Sequence, residues 1–209
     1  MKRKNKALWN SHYRKKRPES INHVNWLNKH SKMFGKNEYI LEAGCGFAYN
    51  SRYLKSEGHR VLASDFSRAL LGKLQSIYPE LDVIKINLKK KIKLQDNTFN
   101  SIIADLCLHY FSRKTTLRIL GDFSRILKPG GKLFCRVNSI YDENFGYGKG
   151  EEIEKNYFSN NGNFKRFFSK EDINYYFSDW EIISVENYEI KRYIKPKNVF
   201  EIVCRKKIS

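Results

Sequence analysis

The stretch ILEAGCGFAYN, residues 40–50, decides how the chain is organised. It begins as a short apolar run, places Gly44 and Gly46 two residues apart, and continues into a segment with helical periodicity. Glycines in such a turn allow the backbone to approach a ligand closely, but a Gly-x-Gly pair alone is a weak signal. Glu42, an acid at the end of the apolar run, therefore needs an explanation of its own.

Short apolar segments alternate with amphipathic segments on both sides of this turn. This alternation predicts an α/β fold: a doubly wound, mainly parallel seven-stranded sheet with an antiparallel last strand and helices on both faces. One helix is expected to end at a Pro-Gly-Gly sequence and to bury Leu117, Leu120, Phe123 and Leu127 on one face. The predicted strands are 38–43, 59–67, 81–87, 99–106, 132–138, 180–190 and 198–206, and the predicted helices are 49–58, 67–79 and 113–131.

The length of 209 residues fits one domain, so residues 1–209 are predicted to form a single unit with an N-terminal helical cap at 1–35. Residues 139–168 are rich in glycine, asparagine and aromatic residues and show little periodicity, which predicts a long inserted functional loop. Ser169 and Asp172 then form the capping pair of another helix. The hydrophobic fraction of 41% excludes a disordered chain.

The composition indicates where the protein is located and what it can bind. No apolar run approaches the roughly 18 residues that span a bilayer, and the N-terminus lacks the apolar centre of a secretory signal, so a cytoplasmic protein that does not insert into membranes is predicted. The cysteines lie far apart without CxxC spacing, so we expect buried thiols and no metal site. The net charge of +18 attracts nucleic acid, but A/T-rich codon usage also produces a lysine-rich chain.

The ligand of the first turn is indicated by Glu42. In open parallel sheets, ligands lie beyond the carboxyl ends of the strands, and the first βα turn commonly contacts them. A nicotinamide enzyme normally has a third glycine where this chain has Tyr49, and a carboxylate is poorly placed beside a diphosphate. We therefore expect a ligand that carries positive charge next to Glu42.

S-adenosylmethionine fits this requirement, because it has an adenosine, no phosphate, a sulfonium and an α-ammonium group. A carboxylate can hold the ammonium group directly or through water. Asp65 follows the glycines by about 20 residues, at the end of the second predicted strand, where a carboxylate accepts hydrogen bonds from ribose hydroxyls.

Five segments in order, LEAGCGFAYNSRYL, ASDFS, INL, ADLCLHYF and RILKPGGKLF, resemble the motifs of the class I S-adenosylmethionine-dependent methyltransferases. The resemblance extends from about residue 21 to the end of the chain. Within that family, the small size and the ending KRFFSKEDINYYFSDWEIISVE are most similar to the tellurite-resistance and related small-molecule methyltransferases. The resemblance implies a Rossmann-like fold, S-adenosylmethionine as cofactor, S-adenosylhomocysteine as product and a small acceptor.

The family roles transfer to this chain position by position. The chain departs from the family pattern at Asn87 and Asn100, where aspartate is usual, and at Ala48, where glycine is frequent. The resemblance implies cofactor contacts from Glu42, Gly44, Cys45 and Gly46 at the methionine end, from Asp65 at the ribose, from Phe66, Asn87 and Leu88 at the adenine, and from Asp105 and Leu106 at the floor of the pocket.

Several residues are candidates for contact with the methyl acceptor. His109 follows the fourth strand and titrates near neutral pH, so it is the candidate general base, and the alternative is that His109 and Tyr110 only pack beneath the cofactor. Trp9 and Tyr13 are expected either to close over the site or to anchor a helix. The predicted substrate contacts are Trp9, Tyr13, Tyr110, Arg136, Asn138 and Arg166.

Three functions remain open at this point. The leading one is methyl transfer to a small-molecule acceptor. The second is RNA methylation, suggested by basic clusters at 14–17, 89–93 and 204–207, although the chain lacks the Pro-Pro-aromatic run of similar enzymes that methylate base amines. The third is a cofactor-binding module without turnover. The sequence does not indicate an oligomeric state.

Overall fold

A computed structural model describes residues 25–191 and 195–207. At its centre lies a seven-stranded sheet with the strand order β3-β2-β1-β4-β5-β10-β9. A second, three-stranded sheet has the order β6-β7-β8. The strands of the central sheet are β1 (Tyr39–Ala43), β2 (Arg60–Asp65), β3 (Asp82–Lys85), β4 (Phe99–Asp105), β5 (Leu127–Asn138), β9 (Trp180–Ile190) and β10 (Lys197–Lys206).

Helices connect these strands, and several begin where a side chain caps them. Ser67 accepts from the backbone N–H of Leu70 at the start of the second helix, and Ser169 and Asp172 form the predicted capping box. The α-helices are α1 (Tyr49–Ser56), α2 (Arg68–Ile77), α3 (Arg113–Ile126) and α4 (Lys170–Tyr176), and shorter 3₁₀ helices span Trp26–Met33, Leu108–Tyr110 and Glu143–Phe145.

The strand directions confirm the predicted fold class. Strands β1 to β5 pair in parallel with their neighbours, whereas β10 pairs antiparallel with both β5 and β9. The last strand therefore runs against the rest of the sheet and lies inside it, and β9 forms the edge. Strands β4 and β5 supply fully buried apolar residues, as expected for strands covered on both faces.

The predicted end of α3 was wrong. The helix stops at Ile126, and the Lys-Pro-Gly-Gly segment already belongs to β5, which shifts register against β4 there. The residue before a proline disfavours helical backbone, so the helix ends ahead of Pro129. Leu127 is therefore fully buried, as expected, but from the strand. Leu117 lies in the helix and is 38% exposed, so it does not belong to the buried face.

Residues 139–168 are more regular than predicted. They contain β6 (Glu151–Glu154), β7 (Tyr157–Asn160) and β8 (Asn163–Arg166), paired antiparallel. Asn161 and Gly162 join β7 to β8, and both have positive φ angles, as a two-residue Asn-Gly hairpin turn requires. This Asn-Gly pair was the signal for a hairpin in the sequence.

Two other expectations concern the extent of the domain. Of the predicted N-terminal cap at 1–35, the described part begins at residue 25 and contains the 3₁₀ helix Trp26–Met33. The single-domain organisation stays a prediction. None of the helices in the described ranges is long and apolar enough to cross a bilayer.

Candidate active site

The turn between β1 and α1 can be made only by a residue without a side chain at its first position. Gly44 has a φ of +70°, and a Cβ atom built there would lie 2.7 Å from the Cβ of Cys107. The turn after β1 is therefore pressed directly against the turn after β4. Gly46 and Ala48 also have positive φ, so the backbone of this loop is held in a conformation that suits close approach of a ligand.

Glu42 lies at the end of β1 and is buried. Its Oε1 accepts from Asn50 Nδ2 at 2.8 Å, and its Oε2 accepts from the backbone N–H of Ser51 at 2.9 Å and from the Ser51 hydroxyl. Burial raises the pKa of Glu42 to about 7, against the effect of these hydrogen bonds. The carboxylate thus caps the first turn of α1, and Oε1 retains a lone pair for a ligand donor.

Asp65 occupies the equivalent position at the end of β2. Its Oδ1 accepts from the N–H of Ser67 at 2.9 Å and its Oδ2 from the N–H of Gly46 at 3.4 Å. Burial raises its pKa, and the backbone donors act in the opposite direction. Asp65 therefore joins the two loops whose residues were predicted to hold the nucleoside.

A charged pair joins β4 to β5 near their carboxyl ends. Arg136 donates to both oxygens of Asp105, each at 2.8 Å, and its guanidinium lies 4.6 Å from the ring centroid of Trp26. Burial opposes the charge on Arg136, but Asp105 outweighs it and raises the pKa of the guanidinium. Trp26 Nε1 in turn donates to Asn50, which links this pair to Glu42.

The remaining predicted cofactor residues lie in different local environments. Leu106 has a φ of +52°, which is strained for leucine, at the turn that follows β4. Asn87 is exposed and accepts from the N–H of Lys89 at 3.0 Å, so its amide shapes an Asx turn. Cys45 and Leu88 are buried, and Phe66 is half-buried. Their contacts with a cofactor stay predictions.

His109 lies in the 3₁₀ turn after β4 and is only 3% exposed. Burial lowers its pKa well below the usual range, and the charges of Lys197 and Lys165 lower it further. Its Nδ1 has no hydrogen-bond partner in the part of the chain that the structure describes. The centroid of its ring lies 4.2 Å from that of Tyr110. The small sheet holds this turn, because Tyr157 of β7 donates to the Tyr110 carbonyl at 3.5 Å.

Asn138, the last residue of β5, is fully buried. Neither its Oδ1 nor its Nδ2 has a partner within residues 25–191 and 195–207. Buried amides are nearly always hydrogen-bonded, so the unpaired carboxamide at the carboxyl end of β5 is a candidate contact for a bound molecule.

Arg166 has a different environment from the one predicted. It is 0% exposed and donates to the carbonyls of Phe111 and Lys155 and to the carboxylate of Glu154. These bonds hold the small sheet β6–β8 against the turn before α3. Its contact with a substrate stays a prediction. Trp9 and Tyr13 lie outside the described residues.

Several residues of this site are not among those predicted from the sequence. Asn50 and Ser51 follow the glycine turn at the start of α1, and this position was the signal that they would meet Glu42. Lys165 and Lys197 come close to His109 only because β8 and β10 converge on it, and no local pattern shows that. In the described ranges, His, Cys, Asp and Glu residues form no cluster of three or more suited to a metal ion.

Comparison with known proteins agrees with this geometry. Residues 41–135 match the family model described as "Methyltransferase domain". The cypemycin N-terminal methyltransferase of a Streptomyces species is 29% identical over 113 residues, which cover 53% of this chain and 45% of that protein. The chain thus spans under half the length of this curated relative.

Solved structures share the fold at low identity. A SAM-dependent methyltransferase from Methanosarcina mazei has a TM-score of 0.76 at 16% identity, covering 89% of this chain and 100% of its own. The 1,6-didemethyltoxoflavin-N1-methyltransferase of Burkholderia thailandensis, solved with bound S-adenosylhomocysteine, has 0.66 at 17%, covering 87% and 78%. TehB from Haemophilus influenzae has 0.68 at 14%, covering 90% and 64%.

Residues 41–135 thus match a methyltransferase domain, as the sequence motifs predicted, and the fold is that of solved S-adenosylmethionine-dependent methyltransferases. The structure from Burkholderia thailandensis holds S-adenosylhomocysteine, the product of that cofactor. The acids and the glycine turn described above fit that cofactor, because they provide carboxylate acceptors and close backbone approach without a cradle for phosphate.

Proposed function

We propose that this protein is a class I methyltransferase that transfers a methyl group from S-adenosylmethionine to a small-molecule acceptor, with S-adenosylhomocysteine as the second product. The observation that carries the proposal is the burial of the acceptor side. His109 and Asn138 have unpaired polar atoms but are 3% and 0% exposed, with the small sheet β6–β8 packed on the turn that holds His109. So enclosed a place favours a small acceptor over a large one.

Some residues of the site would bind the cofactor, and others would align the acceptor. When bound, S-adenosylmethionine supplies a methyl carbon that its sulfonium already activates. Glu42 would balance the positive methionine end, and Asp65 would accept hydrogen bonds from the ribose hydroxyls. The main task of the protein is then to align the acceptor and to exclude water, which the buried acceptor side favours.

His109 would supply the base where the acceptor must lose a proton. Its low pKa keeps the imidazole neutral, and a neutral imidazole accepts a proton where an imidazolium does not. Nδ1 is the nitrogen without a protein partner in the described ranges, so we assign proton removal to that atom. An acceptor that is already an anion would not need this step.

RNA methylation is the second candidate and rests on the charge of +18. The exposed lysines of 89–93 carry part of this charge, although Ile92 in that run is buried. A cofactor-binding module without turnover is the third. Cytoplasmic location stays a prediction from the sequence.

Incubation with methyl-labelled S-adenosylmethionine and cell extract tests the proposal. The products are separated into small-molecule, RNA and protein fractions, and reactions with excess unlabelled S-adenosylhomocysteine and with Asp65→Ala serve as controls. We expect label in the small-molecule fraction, suppressed in both controls. Label confined to RNA would establish the second candidate instead. Tight cofactor binding with no transfer to any fraction would establish the third.

A further inference from the structure

A cluster of charged side chains includes Lys165 and Lys197, whose charges act on the buried His109. Lys197, at the start of β10, forms a buried ion pair with Asp142, with 3.1 Å between Nζ and Oδ2. Its Nζ also lies 4.4 Å from the ring centroid of Phe145. Lys165 on β8 donates to the carbonyl oxygen of that same Phe145 at 3.0 Å. The two ammonium groups therefore flank one residue of the inserted segment.

The cluster has more positive than negative charge. Asp142 is the carboxylate that pairs with Lys197, whereas no carboxylate of the described ranges lies within ion-pair distance of Lys165. Lys165 is half-buried, and burial lowers its pKa while the charge of Asp142 raises it. A half-buried ammonium group whose hydrogen bond goes to a neutral carbonyl favours an anion nearby, because a charge removed from water needs an opposite charge.

Asn138 connects this cluster to the site of methyl transfer. Val199 of β10 pairs with Asn138 of β5, and Lys197 lies two residues before Val199, so Lys197 and Asn138 project from the same face of the sheet. The carboxamide of Asn138 and Nδ1 of His109 are the buried polar atoms near this cluster that lack partners within the described residues. An unpaired donor and acceptor thus lie beside two ammonium groups.

We propose that the methyl acceptor is an anion whose charged group lies between Lys165 and Lys197 while Asn138 and His109 hold the part that receives the methyl group. This inference rests on the proposed function, since it names the substrate class of that site. Lys165 and Lys197 position the acceptor and take no part in the chemistry. The charged group is of the carboxylate or phosphate type, which a lysine recognises as a point charge.

Binding of small probes tests the anion site without turnover. Benzoate, inorganic phosphate and the neutral control benzamide are titrated into the complex with S-adenosylhomocysteine, for wild type, Lys165→Gln and the exposed Lys149→Gln. We expect benzoate or phosphate to bind, and Lys165→Gln to weaken that binding by about tenfold, as loss of one charge-assisted hydrogen bond predicts. Lys149→Gln should leave it unchanged. Benzoate points to a carboxylate acceptor, and phosphate points to a phosphorylated one.

The proposal is overturned if benzamide binds as well as benzoate, if neither anion binds, or if Lys165→Gln and Lys149→Gln behave alike. A second arm passes the small molecules of cell extract over an anion exchanger before the labelling reaction. Label formed only with the retained fraction supports the proposal, and label formed only with the unretained fraction contradicts it. Probe binding without label in any fraction would support the anion site and contradict methyl transfer.

Discussion

Arg136 and Asp105 face each other across β5 and β4 and share two parallel hydrogen bonds, Nε to Oδ1 and Nη2 to Oδ2, both 2.8 Å long. The sequence placed the acid in the cofactor pocket and the arginine among the substrate contacts, but their pairing makes them one structural unit. The pair is nearly buried, with side chains 5% and 11% exposed. The predicted place of Asp105 at the floor of the cofactor pocket stays a prediction.

Replacing Arg136 by alanine should destabilise the protein by about 3–5 kcal/mol, because the nearly buried Asp105 carboxylate loses its guanidinium partner and both of the hydrogen bonds that Arg136 donates. The matched control is Arg205→Ala, which removes a pair with Glu181 whose side chains are 40% and 52% exposed. An exposed pair contributes only about 0–1 kcal/mol. Urea unfolding of both variants measures the difference. Equal losses would show that burial of the Arg136 pair has no energetic effect.

Replacing Gly44 by alanine should disturb both folding and cofactor binding. The new Cβ would lie 2.7 Å from the Cβ of Cys107, and φ is +70°. Gly58→Ala is the control, because Gly58 has a φ of +86° but no atom within 4 Å of an added Cβ. We expect about 1–2 kcal/mol of backbone strain in both variants and a further ~1–3 kcal/mol of overpacking in Gly44→Ala.

Urea unfolding and calorimetry with S-adenosylhomocysteine check this prediction. Gly44→Ala should lose affinity for the ligand, whereas Gly58→Ala, at the far end of α1, should retain it. The same stability loss in both variants would mean that the turn after β4 moves aside at no cost.

Replacing Asp65 by alanine should weaken S-adenosylhomocysteine binding by about 1–3 kcal/mol through lost ribose hydrogen bonds. The variant also loses the bonds to the N–H groups of Gly46 and Ser67, so its unfolding free energy must be measured beside its affinity. Asp82→Ala, which alters an exposed acid at the start of β3, is the control. Calorimetry that shows unchanged affinity in Asp65→Ala would remove this residue from the site.

The sequence predicts those parts of the fold and the site whose contacts are local along the chain. The unit from β1 through Gly44 to α1 follows from an apolar run, a glycine turn and a helical period, all within a dozen or so residues. Arg136 and Asp105 meet because strands β4 and β5 pair in one particular register, which places these two residues opposite each other. No sequence pattern of either strand contains that information.

The inserted segment shows a second limit. Its aromatic and asparagine residues show no clear period, which predicts a loop at 139–168, although Asn161-Gly162 is a strong hairpin signal. Strands of four residues are too short to show alternation clearly. The burial of Arg166 was not visible for the same reason: its partners on Glu154, Lys155 and Phe111 come together only when that small sheet forms.

Stability should depend on pH through Glu42. Burial raises its pKa from an ordinary 4.5 to about 7, so the folded state holds a proton that the unfolded state has released over that interval. The contribution to stability is therefore fully present below about pH 4.5 and is lost as the pH rises through about 7. A pKa shift of this size changes the free energy of unfolding by about 3 kcal/mol. Urea unfolding from about pH 4 to about pH 8 measures it.

Glu42→Gln separates this effect from other titrations, because glutamine resembles the protonated acid in shape and cannot ionise. We expect the variant to resist the loss of stability between about pH 4.5 and about pH 7, whereas Glu189→Gln, which removes an exposed acid on the edge strand β9, should follow wild type. Cofactor binding gives an independent measure. The positive methionine end favours ionised Glu42, so wild-type affinity for S-adenosylmethionine should rise with pH through about 7 and that of Glu42→Gln should not. A wild-type affinity that does not change over this range would show that Glu42 only caps α1 and does not face the methionine end of the cofactor.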